Sequence, residues 1–110
     1  MSTWKPASAV FMGGTQQIKS LVGARVRTRT HLLSCPLFDP IQNTPGTTDI
    51  PVGAVGFVAN PHGESLLIAF PSHPGTLPRS LTELQRGGRF KVVVVNEPTF
   101  KQQFEVERVS

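Results

Sequence analysis

From Gly23 to Leu32 the chain reads GARVRTRTHL, a stretch in which cationic side chains recur at every second position. Successive side chains of a strand point to opposite faces. The run therefore predicts a strand with Arg25, Arg27, Arg29 and His31 on one side and Ala24, Val26, Thr28, Thr30 and Leu32 on the other. One face suits a core and the other is cationic. Ten Gly and ten Pro in 110 residues divide the rest of the chain into short segments, the habit of strands joined by turns rather than of long helices. A chain of this length fits one domain and can bury enough surface to fold without metals or several disulfides.

Residues 1–20 read as a flexible leader, parts of which can be borrowed for local packing, and residues 21–110 as the folded domain. Trp4 in the leader is suited to anchor on this domain or on a partner. After the first strand comes a long connection, Ser34 to Asp49, in which Pro36, Pro40, Pro45 and Gly46 oppose a helix or a central strand. Leu37, Phe38 and Ile41 give it apolar side chains that can fold back onto the domain or line a groove.

A second strand is expected over Val52 to Ala59, where Gly53 and Gly56 permit a bend or a close backbone approach. Asn60 to Gly63 form a turn, and Ser65 to Phe70 follow as a strand with Leu66, Ile68 and Phe70 on its core face. Ser80 and Glu83 have capping-box spacing for a short helix over Ser80 to Gln85, which Gly87 stops. The run Arg89 to Val95 predicts a strand that is apolar on both faces, with Phe90, Val92 and Val94 opposite Lys91, Val93 and Val95. Its second face should meet the leader, a loop or a subunit. In the last strand, Gln103 to Val109, Phe104 and Val106 point one way and Glu105 and Glu107 the other, where they can pair with the first strand's arginines if the two strands adjoin.

Eleven Lys and Arg against seven Asp and Glu give a net charge of +4, which draws acidic partners without specifying them. Cys35 is the only cysteine, so there is neither an intrachain disulfide nor a CxxC pair, and a reducing cytoplasm is the simplest home. No apolar run approaches the ~20 residues of a membrane span. His31, His62 and His73, with Cys35 and Asp39, match no recurring zinc spacing, and no metal or cofactor is expected. Ser72 beside His73, and the carboxylates Asp39, Asp49 and Glu64, are reactive groups without the arrangement of a triad, so no catalytic residue is assigned.

The succession of a VR-containing strand, a long irregular loop, IPVGAVGFVAN, ESLLIAF and RFKVVVV resembles small SH3-like barrels over roughly Gly23 to Val109. The resemblance implies an all-β fold, a partly open five-stranded barrel with one short helical turn, used as a binding or subunit module. The chain has no Tyr, and Trp4 lies outside the barrel region, so an aromatic groove for proline-rich peptides has no source.

Two uses of the surface follow. The first is a non-catalytic accessory subunit that binds a protein of acidic or mixed surface, with Leu37, Phe38 and Ile41 as apolar anchors and Arg25, Arg27, Arg29 and His31 as steering charges. The second is a nucleic-acid-associated protein whose arginine strand, extended by Lys91, contacts phosphates.

Overall fold

A computed structural model describes residues 2–38, 46–72 and 78–109. Ile41, Asp39 and His73 lie outside the described residues. In chain order the elements are β1 (Ser2–Pro6), α1 (Ala7–Val10), α2 (Thr15–Leu21), β2 (Arg25–Thr28), β3 (Leu32–Pro36), β4 (Thr47–Ile50), β5 (Val55–His62), β6 (Ser65–Pro71), α3 (Leu81–Gly87), β7 (Phe90–Asn96), α4 (Glu97–Gln103) and β8 (Phe104–Val109). The fold is mostly β. Six strands form an open sheet in the order β1-β8-β2-β5-β6-β7, and β3 with β4 form a separate hairpin. Every pairing is antiparallel.

The expected five strands and one helical turn thus become eight strands and four helices among the described residues. The leader makes much of the difference. Its first residues pair with β8 in the register Trp4↔Glu107, and Ala7, Phe11 and Ile18 are completely buried. Neither α1 nor α2 has a side-chain N-cap. Burial of those apolar residues, rather than local helix chemistry, holds them in place.

The alternating run from Gly23 stays in the sheet only as far as Thr28. Thr28 is buried, and its Oγ1 donates to the Pro51 carbonyl at 2.7 Å and accepts from the Ala54 N–H at 3.0 Å. Its backbone also exchanges hydrogen bonds with Ala54 and Gly53. Thr28 is therefore clamped to the turn before β5, while the Arg29 N–H donates to the Gln103 carbonyl and the chain leaves for β3. The single strand expected over Gly23 to Leu32 is two strands separated by a bend.

The two ends of the connection expected over Ser34 to Asp49 belong to the β3–β4 hairpin, paired Leu32↔Ile50, Cys35↔Thr48 and Pro36↔Thr47. An irregularity between Leu32 and Cys35 holds Ser34 at φ 55°, and its N–H is satisfied by Asp49 Oδ1 at 2.9 Å. Directly after β3, Leu37 bridges Val93, and Phe38 donates its N–H to the Val92 carbonyl, tying this segment to the edge of β7.

Two hydrophobic clusters sandwich the sheet. Val26, Val58, Leu66, Ile68, Phe70, Val93, Val95, Phe104 and Val106 line the larger one with Phe11, Ile18 and Phe100. Phe57, Ala59, Leu67 and Ala69 form the smaller one with Leu84 of α3, joined by the half-buried Phe38, Phe90, Val92 and Val94. This explains the doubly apolar β7: Val93 and Val95 enter the larger core, and its opposite face meets the layer around α3.

Local signals set several ends. Ser80 Oγ accepts from the Glu83 N–H at 3.2 Å and Glu83 Oε2 accepts from the Arg79 N–H at 3.1 Å, a variant of the reciprocal cap expected from the sequence. The stop is Gly88, at φ 69°, rather than Gly87, which belongs to the helix. Strand β5 continues through His62, so the hairpin turn is Gly63–Glu64 instead of Asn60 to Gly63. Helix α4 was not expected, although Asn96 caps it by accepting from the Thr99 N–H at 2.9 Å and Pro98 stands in its first turn.

Candidate functional site

β2 lies between β5 and β8, with Arg27 directly opposite Glu105 and Val26 opposite Val106. Odd-numbered side chains of β2 and β8 consequently share the outer face. Arg27 Nη2 donates to both carboxylate oxygens of Glu105, at 3.2 and 3.3 Å, and Arg25 Nη1 lies 3.6 Å from Glu107 Oε2. The pairing posed by the sequence is present. The Arg27 guanidinium also sits 4.4 Å from the centre of the Trp4 ring, a cation–π arrangement that fastens β1 to the same face.

These arginines are partly sheltered, with side chains 31% and 34% exposed for Arg25 and Arg27. Arg25 Nε is buried without a hydrogen-bond partner, a local cost of building the pair into the sheet. Two positive charges are thus matched by two negative ones. The face is an electrostatic seam across β1, β8 and β2, in which Arg25 and Arg27 are ion-paired within the chain.

The other expected contact residues separate. Arg29 and His31 flank the bend after β2 and are exposed. Leu37 and Phe38 are half-buried, the first packed against the larger core and the second against the smaller one. Lys91, which would have extended the cationic strand, instead donates from Nζ to Thr48 Oγ1 at 3.2 Å, on the hairpin side of the sheet.

The hairpin supplies an apolar surface that the sequence reading passed over. Leu33 is 69% exposed and Val52 is 65% exposed. Leu33 follows Leu32 in β3, and Val52 lies two residues after Ile50, the cross-strand partner of Leu32. Arg29 and His31 lie just before β3, and the hydrogen bonds between Thr28 and Pro51, Gly53 and Ala54, with the Leu32↔Ile50 pairing, bring the backbone of residues 28–33 and 50–54 together. The signal was present in part: a strand that buries Leu32 presents Leu33 to the other side.

Cys35 is buried in the hairpin, next to the larger core. Burial is the main influence pushing its thiol pKa up; the Asp49 carboxylate acts in the same direction and Lys91 opposes them. A thiol held in its neutral form is a poor nucleophile. Among the described residues no group of three or more His, Cys, Asp and Glu side chains is placed to hold a metal, and no helix is long and apolar enough to cross a membrane.

Comparison with protein families, with curated proteins and with solved structures finds no match. The chemistry of the surface is therefore the basis for a functional assignment.

Proposed function

We propose that this protein is a non-catalytic protein-binding or accessory-subunit module, built on an SH3-like barrel and docking through the hairpin end that carries Arg29, His31, Leu33 and Val52. The observation that carries the reading is the exposure of two large apolar side chains, Leu33 and Val52, on neighbouring backbone segments that also carry the exposed Arg29 and His31. A partner with an apolar anchor site ringed by acidic groups fits that surface. A cytoplasmic location, suggested by the lone cysteine, belongs to the same proposal.

The barrel assignment is supported by strand order. β2, β5, β6 and β7 neighbour one another in succession, and the last strand, β8, returns to the free side of β2. On this reading the sheet is an open relative of such a barrel, to which β1 and the two helices after it add at one edge. The Leu37–Val93 bridge adds the β3–β4 hairpin near the other.

The test is capture of partners from nuclease-treated native lysate at raised salt. A stoichiometric protein is expected to remain bound, because apolar burial survives screening that weakens exposed charge contacts. Leu33→Asp and Val52→Asp are each expected to weaken capture by about tenfold or more, equivalent to about 1.4 kcal/mol, while Arg79→Glu leaves it unchanged. Loss of all captured material on nuclease treatment, or undiminished capture by both variants, overturns the reading.

A further inference from the structure

The basic character of this chain resides away from the strand that first draws attention. Arg25 and Arg27 are matched by Glu107 and Glu105. Lys5, Lys19, Arg29, Arg79, Arg86 and Arg89 are exposed, while Glu83, on α3 itself, accepts from the Arg79 N–H and keeps its negative charge. Three of these, Arg79, Arg86 and Arg89, are clustered within eleven residues around α3.

Helix α3 fixes their arrangement. Leu84 is buried in the smaller core, and Arg86, two residues on, falls about 200° around the helix, on the solvent side. Arg79 immediately precedes the Ser80 cap, and Arg89 follows the left-handed Gly88, where its carbonyl accepts from the Ser72 N–H. The cap and the terminal glycine hold the backbone at both ends. The seven helical residues span about 10 Å, comparable with three steps of a nucleic-acid strand at about 3.4 Å each.

We propose that this rim, Arg79, Arg86 and Arg89 around α3, is a docking surface for the phosphate backbone of a nucleic acid. Guanidinium groups suit phosphate because their planar fork donates two hydrogen bonds at once. The surroundings favour this partner over a bilayer or an acidic protein. The large hydrophobic residues exposed among the described ones are Met12, Val22, Leu33 and Val52, none of them on this rim. Insertion into a bilayer calls for such residues, and so does the apolar core of a stable protein interface. Phe90, the nearest ring in sequence among the described residues, is half-buried in the smaller core, so those residues offer no stacking platform and the proposed contact is with the backbone rather than the bases.

The test is fluorescence anisotropy of a short labelled DNA duplex titrated with the full chain. Each phosphate contact contributes a slope of about −0.9 to log affinity against log salt, so three give about −2.7, or roughly a 40-fold loss between about 50 and 200 mM salt. Replacing Arg86 and Arg89 together by Glu is expected to lower affinity by more than about tenfold and to reduce the slope to about −0.9. The Arg86→Gln, Arg89→Gln version, which removes charge without adding repulsion, moves affinity the same way by a smaller factor. Lys19→Glu, exposed on the helix whose Ile18 packs against the opposite face of the sheet, should change affinity less than about twofold. Equal loss in Lys19→Glu, unchanged binding in both paired variants, or binding to phosphatidylserine vesicles without binding to the duplex overturns the proposal.

Discussion

Replacing Phe100 by alanine should cost about 3–5 kcal/mol of stability, the largest loss expected from any single truncation discussed for this chain. Phe100 is completely buried on α4, edge-on to Phe11 at 5.4 Å and 84° and stacked on Phe104 at 5.4 Å and 29°. Phe104 in turn lies 6.5 Å from Phe70 of β6. One ring therefore joins the N-terminal helices, the last helix and strand, and the centre of the sheet. Its removal deletes aromatic contacts on two sides and leaves a cavity that the surrounding strands cannot fill without moving. Domains of this size have about 5–15 kcal/mol in total, so the variant should sit near the edge of folding. Denaturant unfolding is the check; a loss below about 1 kcal/mol with native spectra contradicts the core described.

Gly56→Ala should cost about 1–3 kcal/mol or more through the opposite fault, too much matter instead of too little. Gly56 pairs with Val26 in the middle of the sheet. A methyl group there would lie 2.6 Å from the Ala69 carbonyl oxygen and 2.8 Å from Phe70 Cδ1. The carbonyl belongs to a paired strand and cannot rotate aside as a flexible side chain would. The same comparison at Gly14, where a methyl group meets nothing within 4 Å, shows that crowding is specific to Gly56. The denaturation midpoint of Gly56→Ala is the measurement. A midpoint equal to that of the parent protein would mean that β5 and β6 do not approach so closely.

The sequence was most legible where a segment's own pattern decided its fate. Alternation placed Val26, Leu66, Ile68, Phe70, Phe104 and Val106 in one core, as found. It also brought Glu105 and Glu107 to the face of Arg25 and Arg27 once the strands adjoined. Legibility failed where distant contacts decide. The helices of residues 7–21 have no side-chain caps and exist because Ala7, Phe11 and Ile18 find a core made by other segments. Likewise, nothing local announces that the run of alternating residues must bend after Thr28, since that bend rests on hydrogen bonds to Pro51, Gly53 and Ala54.

The surface shows the same division. Arginines at alternating positions are conspicuous in the sequence, yet strand order pairs two of them with Glu107 and Glu105 on the outer face. The prolines of the long connection oppose regular structure, yet Pro36, the one of them among the described residues, ends β3, a position at which a missing N–H does little harm. The hairpin so formed exposes Leu33 and Val52, and it holds Leu37 and Phe38 against the two cores. Exposed arginines around a seven-residue helix have no periodic signature at all, and become noticeable only when the competing charges have been paired off.

The most direct test of this account is a charge reversal across the β2–β8 ladder, measured for stability and for binding in the same samples. Arg27→Glu alone places two carboxylates opposite each other and should destabilise by about 1 kcal/mol; adding Glu105→Arg should restore most of that loss, while partner capture and duplex binding stay at the parental level. If the exchanged pair restores stability but abolishes binding, Arg27 itself contacts a ligand, and the internal seam described here is a binding face after all.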